Sequence, residues 1–448
     1  MTSIEQLYKL FLQHPLISTD TRKISAGSLF FALKGEKFDA NTFTASALEA
    51  GAAYAIIDNP ACKINEKCVI VDDALTALQD LARYHRRQLN IPVIGLTGTN
   101  GKTTTKELIY SVLSQHYKTQ ATQGNLNNHI GVPLTILTID KSHEMAVIEM
   151  GANHQKEIEF LCDIAQPTHG LITNVGKAHL EGFGGVEGVK KGKGELYDYL
   201  KKSESKNGSG VAFINSDNDI LIEMKRVRNL SNVILYGSNK DALVAGSIIE
   251  NSPLLTLRWT NNNTTETYTT KTQLTGTYNL DNILAAITIG VYFGLTDKEI
   301  NDGIENYQPK NNRSQIVQTE TNTLICDYYN ANPSSMFVAI ENIGKINAKR
   351  KVLILGDMFE MGEEAAAEHA AVIKKAMETL VDERIFIGKE FYAGSPGVGK
   401  SESPKAGSTF YLTAEDAIIG LKANPIKNST ILIKGSRGMA LERLVELF

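Results

Sequence analysis

A glycine-rich segment that directly follows an apolar run is the part of the sequence best suited to bind phosphate. Residues 95–105 read Gly-Leu-Thr-Gly-Thr-Asn-Gly-Lys-Thr-Thr-Thr, after Pro92-Val93-Ile94. We expect a strand, a tight loop and then a helix over 102–116. Loop N–H groups and the positive end of that helix would face one point, which suits a polyphosphate. Lys102 would contact the outer phosphates, and the Thr103 hydroxyl would contact Mg²⁺.

The loop departs from the common phosphate-loop pattern, in which a glycine stands six residues before the lysine. Leu96 occupies that position, and the glycines fall at Gly95, Gly98 and Gly101 instead. The alternative is an ordinary turn between a strand and a helix. Gly-Lys-Thr at such a turn is difficult to explain without phosphate, and this favours the binding site.

The composition is that of a globular protein with several domains. The chain has 448 residues, of which 42% are hydrophobic and 21% charged, and its formal net charge is −4. Such a balance gives no general attraction to nucleic acid or to an anionic membrane. The four cysteines are scattered without metal or redox spacing. Neither a signal peptide nor a membrane span is recognisable, so a cytoplasmic location is predicted.

Changes in composition divide the chain into three α/β domains. Residues 1–90 form a small α/β unit, which a linker at 90–92 connects to the next domain. Residues 91–309 are expected to form a central domain with a doubly wound, mostly parallel sheet that carries the phosphate loop. Residues 310–448 again show an alternation of predicted strands and helices and are expected to form a Rossmann-like domain. Hinges for domain closure are predicted at 90–92 and 307–312.

The predicted elements follow from apolar periodicity and turn residues. Strands are expected at 93–97, 118–122, 145–149, 170–174, 211–214, 233–236, 324–328, 351–355, 384–387, 409–412 and 430–434. Helices are expected at 102–116, 155–164, 186–200 and 280–293, polar loops at 201–210 and 394–407, and a β-rich insert at 243–275. The run Thr413-Ala-Glu-Asp416 is a candidate capping box.

Three side chains could act beside a bound phosphate, and the first two lie near predicted strand ends. Glu149 ends an apolar strand, where a carboxylate can hold Mg²⁺, although it could also cap a helix. His179 leaves the sheet at the same edge, but most histidines are structural or exposed. Lys193 lies in a basic segment that could be a solvated face. A neutral lysine could instead take up CO₂ and become a carbamate, an anionic ligand for Mg²⁺.

Polar loops supply further candidates. The stretch 122–133 is rich in amides and glycines, which suit a sugar or peptide ligand, although it could be an irregular loop. The segments 327–333 and 434–438 each follow a predicted strand in the third region. Lys434 and Arg437 would suit a carboxylate ligand, Arg437 through a bidentate pair. Either segment alone could equally be a surface turn.

Taken together, these motifs resemble those of the Mur ligases, ATP-dependent amide-forming enzymes of peptidoglycan precursor synthesis. The resemblance covers essentially the whole chain, and the T-G-T-x-G-K-T loop is typical of the family. The Asn-Ala-Asn-Pro run at 330–333 resembles the motif of family members that add a dipeptide. Members that add a single amino acid carry other motifs at this place. The other matching motifs are 18–22, 27–35, 124–128, 149–154, 178–183, 193–195 and 356–358.

The resemblance implies a role for each group of residues. Lys102, Lys193 and His179 are implied as catalytic residues, and Thr103, Glu149, His179 and a carbamylated Lys193 as Mg²⁺ contacts. ATP contacts are implied for Gly98, Thr99, Asn100, Gly101, Lys102, Thr103, Thr104, Asn279, Asn282, Arg313 and Asp327. UDP-substrate contacts are implied for Thr21, Arg22, Ser28, Leu29, Lys34, Asn125, Asn127 and Asn128. Dipeptide contacts are implied for Tyr329, Asn330, Asn332, Lys434 and Arg437.

The implied function is a ligase that uses ATP and Mg²⁺, two ions being expected. It would join D-alanyl-D-alanine to a UDP-N-acetylmuramoyl-tripeptide through an acyl phosphate. Its partners would be small molecules and UDP-sugar-peptides, without nucleic acid and without membrane insertion. The alternatives are a ligase that adds a single amino acid, a folylpolyglutamate synthase, a P-loop nucleotide switch, and a catalytically dead scaffold of the same fold.

Overall fold

Three separate parallel or mixed sheets organise the chain. The structure, a computed structural model, describes residues 2–207, 210–251, 253–264, 266–310, 312–395 and 407–448. The predicted loop at 394–407 therefore lies mostly outside the described residues, as does one residue of the predicted hinge at 307–312. Among the described residues, no helix combines the length and the apolar character needed to cross a membrane.

The first sheet is small and parallel. Its strands run in the order β1-β2-β5-β6, and β3 pairs with β4 in a separate antiparallel hairpin. All three residues of β2 are buried, so this strand forms the centre of the unit. The elements are α1 (Ile4–Gln13), β1 (Ile17–Ser18), β2 (Leu29–Phe31), β3 (Lys34–Gly35), β4 (Phe38–Asp39), α2 (Thr44–Glu49), β5 (Tyr54–Ile57), β6 (Cys68–Ile70) and α3 (Ala74–Gln88).

The central sheet has the order β15-β14-β13-β12-β11-β10-β7-β9-β8, parallel except for the antiparallel insert β13-β14-β15. Its elements are β7 (Val93–Thr97), α4 (Lys102–Leu113), β8 (Thr119–Ala121), α5 (Gly131–Leu137), β9 (Met145–Glu149), α6 (Glu157–Ala165), β10 (His169–Ile172), α7 (Leu180–Phe183), α8 (Val186–Asn207), β11 (Val211–Asn215), α9 (Asp219–Val227), β12 (Val233–Gly237), β13 (Val244–Asn251), β14 (Leu255–Asn261), β15 (Glu266–Lys271), α10 (Asn279–Tyr292) and α11 (Asp297–Glu305).

This sheet is doubly wound because successive strand residues face opposite layers of helices. Val93 packs into one apolar core with residues of α6 and α8, whereas its neighbour Ile94 packs into another with residues of α4 and α10. The same alternation separates Val147 from Ile148 on β9. A strand buried on both faces must be almost wholly apolar, and every residue of β7 and β9 is buried.

The C-terminal sheet has the order β16-β17-β21-β18-β19-β20, parallel except for the edge strand β16. The predicted capping box is present, since Thr413 and Asp416 bond reciprocally at the start of α15. The elements are β16 (Gln315–Gln318), β17 (Thr323–Asp327), α12 (Pro333–Lys345), β18 (Lys351–Gly356), α13 (Ala365–Glu378), β19 (Glu383–Ile387), α14 (Lys389–Ala393), β20 (Ser408–Tyr411), α15 (Ala414–Ala423) and β21 (Thr430–Lys434).

The loop predicted at 201–210 is wrong, and the helix predicted at 102–116 ends earlier, at Leu113. The helix predicted at 186–200 continues to Asn207, so the predicted loop at 201–210 is mostly helical. In this stretch Lys202 is exposed, whereas Leu196 and Leu200 of the same helix are buried in the core, and the composition alone did not reveal this. The amide-rich stretch 122–133 also ends in a helix, because α5 begins at Gly131.

Candidate active site

A cavity of about 1150 Å³ lies where the three domains meet. Its walls are the loop before α4, the carboxyl ends of β9 and β10, the start of α10, and the loop after β17. Ligands bind at this edge of open α/β sheets. Predicted site residues that line the cavity are Thr99, Asn100, Gly101, Lys102, Thr103, Thr104, Asn125, Asn127, Asn128, Glu149, His179, Asn279, Asn282, Arg313, Asp327, Tyr329, Asn330, Asn332 and Lys434.

Only glycine fits two positions of the loop between β7 and α4. Gly98 has a φ of +145°, and a Cβ atom there would lie 2.0 Å from Thr173 Oγ1. Gly101 has a φ of +79°, and its Cβ would lie 2.7 Å from Asn282 Oδ1. No side chain caps the amino end of α4, so its first N–H groups remain available to an anion.

Residues after β10 hold this loop in place. The Thr173 hydroxyl donates to Asn100 O at 2.6 Å, and the Asn174 side chain accepts from Asn100 N at 2.9 Å. Asn174 Nδ2 also donates to Asn100 O at 3.1 Å. The sequence analysis missed Thr173 and Asn174. Their position at the end of the strand predicted at 170–174, at the edge that carries Glu149, was the signal that could have identified them.

Lys102 points back over the loop. Its Nζ atom donates to Gly98 O at 2.8 Å and to Thr99 O at 3.1 Å. An ammonium has three N–H donors, so one remains for a phosphate oxygen. Burial lowers the pKa of Lys102, Glu149 opposes that shift, and Arg313 adds to it. A desolvated cation of this kind gains most from an anionic ligand.

Glu149 provides an observation that fits a bound cation. The side chain is 1% exposed at the carboxyl end of β9. Its Oε1 atom accepts from Asn127 Nδ2 at 2.8 Å, whereas its buried Oε2 atom has no hydrogen-bond partner. An unpaired buried carboxylate oxygen is costly unless a cation or another donor satisfies it. The Glu149 carboxylate therefore fits the predicted Mg²⁺ contact.

His179 faces a carboxylate from the C-terminal domain. Its Nδ1 atom lies 2.6 Å from Glu360 Oε2. Burial lowers the pKa of His179, while the Glu360 charge raises it and Lys102 and Lys193 lower it. A carboxylate that accepts from Nδ1–H leaves Nε2 as the nitrogen able to bind a metal. The sequence analysis missed Glu360, which lies in an irregular loop without a recognisable signal.

Lys193 is buried behind the cavity wall on α8. Its Nζ atom donates to Ala152 O at 3.1 Å and lies 5.0 Å from the centre of the Phe183 ring. Burial lowers the pKa of Lys193 to about 7, and the nearby charge of Lys102 contributes. A neutral amine is the form that can react with CO₂, so this environment fits the predicted carbamate.

The protein side chains at the predicted metal site form a small set. Among the residues that the structure describes, no three His, Cys, Asp or Glu side chains are grouped so that they could hold a metal ion. Mg²⁺ commonly uses one or two carboxylates together with waters and substrate phosphates, so a small protein set is compatible with it. Thr103 is buried, 3% exposed, at the start of α4.

Two of the residues predicted to bind nucleotide, Asn279 and Asn282 on α10, form a hydrogen-bonded row with Thr105 of α4. Thr105 Oγ1 donates to Asn282 Oδ1 at 2.9 Å, and Asn282 Nδ2 donates to Asn279 Oδ1 at 2.9 Å. Beside this row, the Arg313 guanidinium stacks on the Tyr329 ring at 3.8 Å from its centre. Buried Arg313 Nε has no hydrogen-bond partner, which leaves a donor for a ligand.

The C-terminal candidates divide between two cavities. Lys434 is buried and pairs with Asp327 at 2.7 Å, so its charge is already matched before any carboxylate ligand arrives. Asn332 caps α12 and also donates to Asn100 Oδ1 at 2.8 Å, which joins two domains. Arg437 lies instead in a neighbouring cavity of about 190 Å³.

The first-domain candidates lie away from the large cavity. Arg22, in a short 3₁₀-helix with Thr21, pairs with Asp20 at 2.7 Å and is 86% exposed. Lys34 pairs with Asp58 at 2.8 Å. Ser28 and Leu29 are fully buried, and the Leu29 side chain belongs to the core. Among the described residues of this domain, Gln79 on α3 lines the cavity, and the sequence analysis missed it.

Three family models match consecutive parts of the chain. They are described as Mur ligase family, catalytic domain, over residues 15–95, Mur ligase middle domain over 96–290, and Mur ligase, glutamate ligase domain over 312–437. The chain is also 36% identical to the UDP-N-acetylmuramoyl-tripeptide–D-alanyl-D-alanine ligase of Escherichia coli strain K12. That similarity covers 96% of this chain and 92% of the relative.

Solved structures resemble the whole chain. A crystal structure of MurF from Acinetobacter baumannii has a TM-score of 0.84 and 31% identity, covering 96% of this chain and 92% of the other. MurF ligase from Thermotoga maritima, solved in complex with ADP, has a TM-score of 0.81 and 25% identity, covering 98% and 97%.

Proposed function

Since this chain belongs to the Mur ligase family, we propose that it joins D-alanyl-D-alanine to a UDP-N-acetylmuramoyl-tripeptide and converts ATP to ADP and phosphate. The product is the UDP-linked pentapeptide of peptidoglycan precursor synthesis. The three regions proposed as domains, at 1–90, 91–309 and 310–448, would bind the UDP end, ATP and the incoming dipeptide respectively. A cytoplasmic location is part of the same proposal.

A single observation supports this function most directly. The phosphate loop, the unpaired Glu149 oxygen and the C-terminal loop with Arg313 and Tyr329 line one cavity. A ligase that uses an acyl phosphate must bring a nucleotide, an acid and an amine together. A cavity bounded by more than one domain can do so, whereas a nucleotide switch needs only the phosphate loop.

The first step makes an unreactive acid into an electrophile. A carboxylate resists attack by an amine because resonance and negative charge stabilise it. One of its oxygens therefore attacks the γ-phosphorus of ATP, the bond from phosphorus to the β-phosphate oxygen breaks, and ADP leaves. The acyl phosphate that results has a good leaving group.

Several anionic groups meet in this step, so the main task of the site is charge neutralisation. Lys102 and the free N–H groups of α4 would hold the β- and γ-phosphates. Thr103, Glu149 and His179 would hold Mg²⁺, which would supply further positive charge to the site. Asn279, Asn282 and Arg313 would orient the nucleotide, and Gly98, Thr99, Asn100, Gly101 and Thr104 would form the rest of its site.

In the second step the neutral amine of D-alanyl-D-alanine attacks the acyl carbon. The tetrahedral intermediate expels phosphate, the amide bond forms, and the amine nitrogen loses a proton. Tyr329, Asn330, Asn332 and Arg437 are the proposed dipeptide contacts, with Lys434 acting together with Asp327. Carbamylated Lys193 is proposed as an anionic support for the metal site, since its low pKa and its burial favour the neutral amine that CO₂ requires.

Phosphate release measured with purified protein tests the function. The protein receives ATP, Mg²⁺, D-alanyl-D-alanine and UDP-N-acetylmuramoyl-tripeptides whose third residue is lysine or diaminopimelate, and the product is identified by mass. We expect phosphate and pentapeptide only when every substrate is present. Nucleotide hydrolysis without acceptor would favour a switch, and activity with single amino acids or folates would favour the related ligases.

A further inference from the structure

A second, smaller cavity adjoins the large one between the middle and C-terminal domains. Its volume of about 190 Å³ equals that of roughly six water molecules, which suits a ligand the size of a short peptide. His179, Asn330 and Asn332 line both cavities. A molecule in the small cavity would therefore meet one in the large cavity across these three side chains.

The charges of the small cavity match a zwitterion. Within the described part of the chain, Glu360 is the one carboxylate that lines it and Arg437 the one guanidinium. A dipeptide such as D-alanyl-D-alanine carries one ammonium and one carboxylate. Arg437 also lies 5.4 Å from the centre of the Tyr329 ring, the ring on which Arg313 stacks from the nucleotide side. The small cavity is thus adjacent to the region proposed to bind ATP.

The backbone holds Glu360 firmly against His179. Glu360 has a φ of +61°, and His179 has a φ of +50°, both in the left-handed region that residues other than glycine seldom adopt. Phe359 N donates to Ser436 Oγ at 2.9 Å, and Met358 N donates to buried His369 Nε2 at 3.0 Å. Strain that the surrounding structure maintains is concentrated at functional sites.

We propose that Glu360 binds the amino group of the incoming dipeptide and so selects an acceptor that bears an amine. This inference rests on the proposed function, and it assigns to that reaction a residue that the sequence motifs did not indicate. One Glu360 oxygen pairs with His179 Nδ1 at 2.6 Å. A carboxylate has two oxygens and about four acceptor sites, so an ammonium can bind without displacing the imidazole. Once the ammonium has lost a proton to solvent, the neutral amine that attacks the acyl carbon is held beside His179, at the wall shared with the large cavity.

Glu360→Gln tests the assignment because it keeps the size of the side chain and removes its charge. Since the Glu360 side chain is 60% exposed, solvent screens the interaction, and we expect the KM for D-alanyl-D-alanine to rise only about fivefold. The KM values for ATP and the UDP-tripeptide should not change. Glu363→Gln, a matched change of an exposed residue in the same loop, should leave all three KM values as in the native enzyme.

An analogue separates amine recognition from a structural role. In D-lactyl-D-alanine a hydroxyl replaces the amine, so it cannot form the proposed ion pair. The native enzyme should bind it, as a competitive inhibitor, several-fold more weakly than D-alanyl-D-alanine. Glu360→Gln should bind the two compounds almost equally.

Two results would overturn the proposal. One is unchanged discrimination between amine and hydroxyl in Glu360→Gln. The other is an equal rise in all three KM values, which would mean that Glu360 only joins the domains through His179. Failure of the proposed function is distinguished separately, because the native enzyme would then form no amide with D-alanyl-D-alanine at all.

Discussion

An apolar core joins the first domain to the middle domain, whereas polar contacts around two cavities join the C-terminal domain to it. Residues of the first domain, such as Phe31 and Leu78, share one core with Ile136 and Ile158 of the middle domain. The C-terminal cores contain residues of that domain alone.

Hydrogen bonds follow the same division. At the interface between the first and middle domains, which we call the first joint, buried Arg86 donates to Ala165 O, Gln166 O and Leu89 O at 2.9–3.0 Å. At the interface between the middle and C-terminal domains, the second or polar joint, Lys177 pairs with Glu368 at 2.7 Å. The backbone N–H of Lys177 also donates to Ser334 Oγ at 3.1 Å.

The difference indicates which joint can open. Separating the first joint would expose apolar surface and unpaired carbonyl groups, both of which are costly. Separating the second would exchange part-exposed polar contacts for water, and contacts of this kind contribute about 0–1 kcal/mol each. The shared core therefore argues against the hinge predicted at 90–92.

Domain closure by movement of the C-terminal domain about 307–312 stays a prediction. Small-angle scattering with and without substrates would test it, because an unchanged profile would contradict the movement.

The largest effect is expected from Lys102→Ala, which acts in the large cavity and not on either joint. We expect kcat/KM to fall by about 10²–10³ or more, because the charge that neutralises the phosphates is lost. The melting temperature should stay near that of the native protein. Phosphate release and thermal unfolding are the measurements, and Lys141→Ala, an exposed lysine of the same domain, is the control. Normal turnover would contradict the phosphate-loop assignment.

Lys193→Ala should reduce kcat by about 10², and formate should restore part of the activity by supplying the missing anionic oxygen. The control is Lys191→Ala, which removes an exposed lysine from the same helix. Ligation by native enzyme is measured with and without added CO₂ after degassing. Equal rates under the two conditions would count against the carbamate, whatever the loss in the variant.

Arg86→Ala should distinguish the two joints by stability. The free energy of unfolding should fall by about 2–4 kcal/mol, because three carbonyl groups lose a buried charged donor. Lys177→Ala at the polar joint should cost less, about 1 kcal/mol, because Lys177 is 53% exposed and its removal opens the partner carboxylate of Glu368, 10% exposed in the native protein, to water. Denaturant unfolding measures both, with exposed Arg87→Ala as the control. Equal losses for Arg86→Ala and Lys177→Ala would refute the contrast between the joints.

The smallest effect is a pH dependence at the apolar joint. Burial lowers the pKa of His85, whose Nε2 bonds to Ile139 O at 2.6 Å, although that bond opposes the shift. The unfolded chain then binds a proton more readily than the folded chain does. The free energy of unfolding is therefore unaffected by the titration of His85 above a pH of about 6.5, the pKa of histidine in the unfolded chain. It falls as the pH decreases below that value. Denaturant unfolding at pH 7 and pH 5 should show this loss, and a His85→Gln variant should show less of it.

Most of the fold of the middle and C-terminal domains could be predicted from periodicity. The strands at 93–97, 145–149 and 430–434 have the predicted bounds. Each is an apolar run that the sheet buries, so hydrophobicity identifies it directly. The polar end of α8 was mistaken for a loop because a helix that faces solvent on one side can be locally as polar as a loop.

The candidate site was predictable where chemistry and strand ends coincide. Lys102 and Glu149 were identified in this way, whereas Arg313 was implied only by the family resemblance, and the structure brings all three to one cavity. Gln79 and Glu360 were not, because they reach the two cavities from a first-domain helix and a C-terminal loop, and their local sequences do not indicate that position. Leu29 was assigned to a ligand, yet its side chain belongs to the core, since a motif match does not distinguish backbone from side-chain contacts.

The sequence by itself determined the phosphate loop, the order of strands and helices along the chain, and the family to which the chain belongs. These depend on local glycine geometry and on apolar periodicity, both of which are properties of residues that are neighbours in the chain. Only the tertiary structure decided that Glu149 keeps an unpaired oxygen, that Lys434 is paired with Asp327, and that Glu360 meets His179. Such properties arise because residues far apart in the chain exclude water from one another and form hydrogen bonds and ion pairs across domains. The residues next to each of them in the sequence do not indicate which partner it will meet.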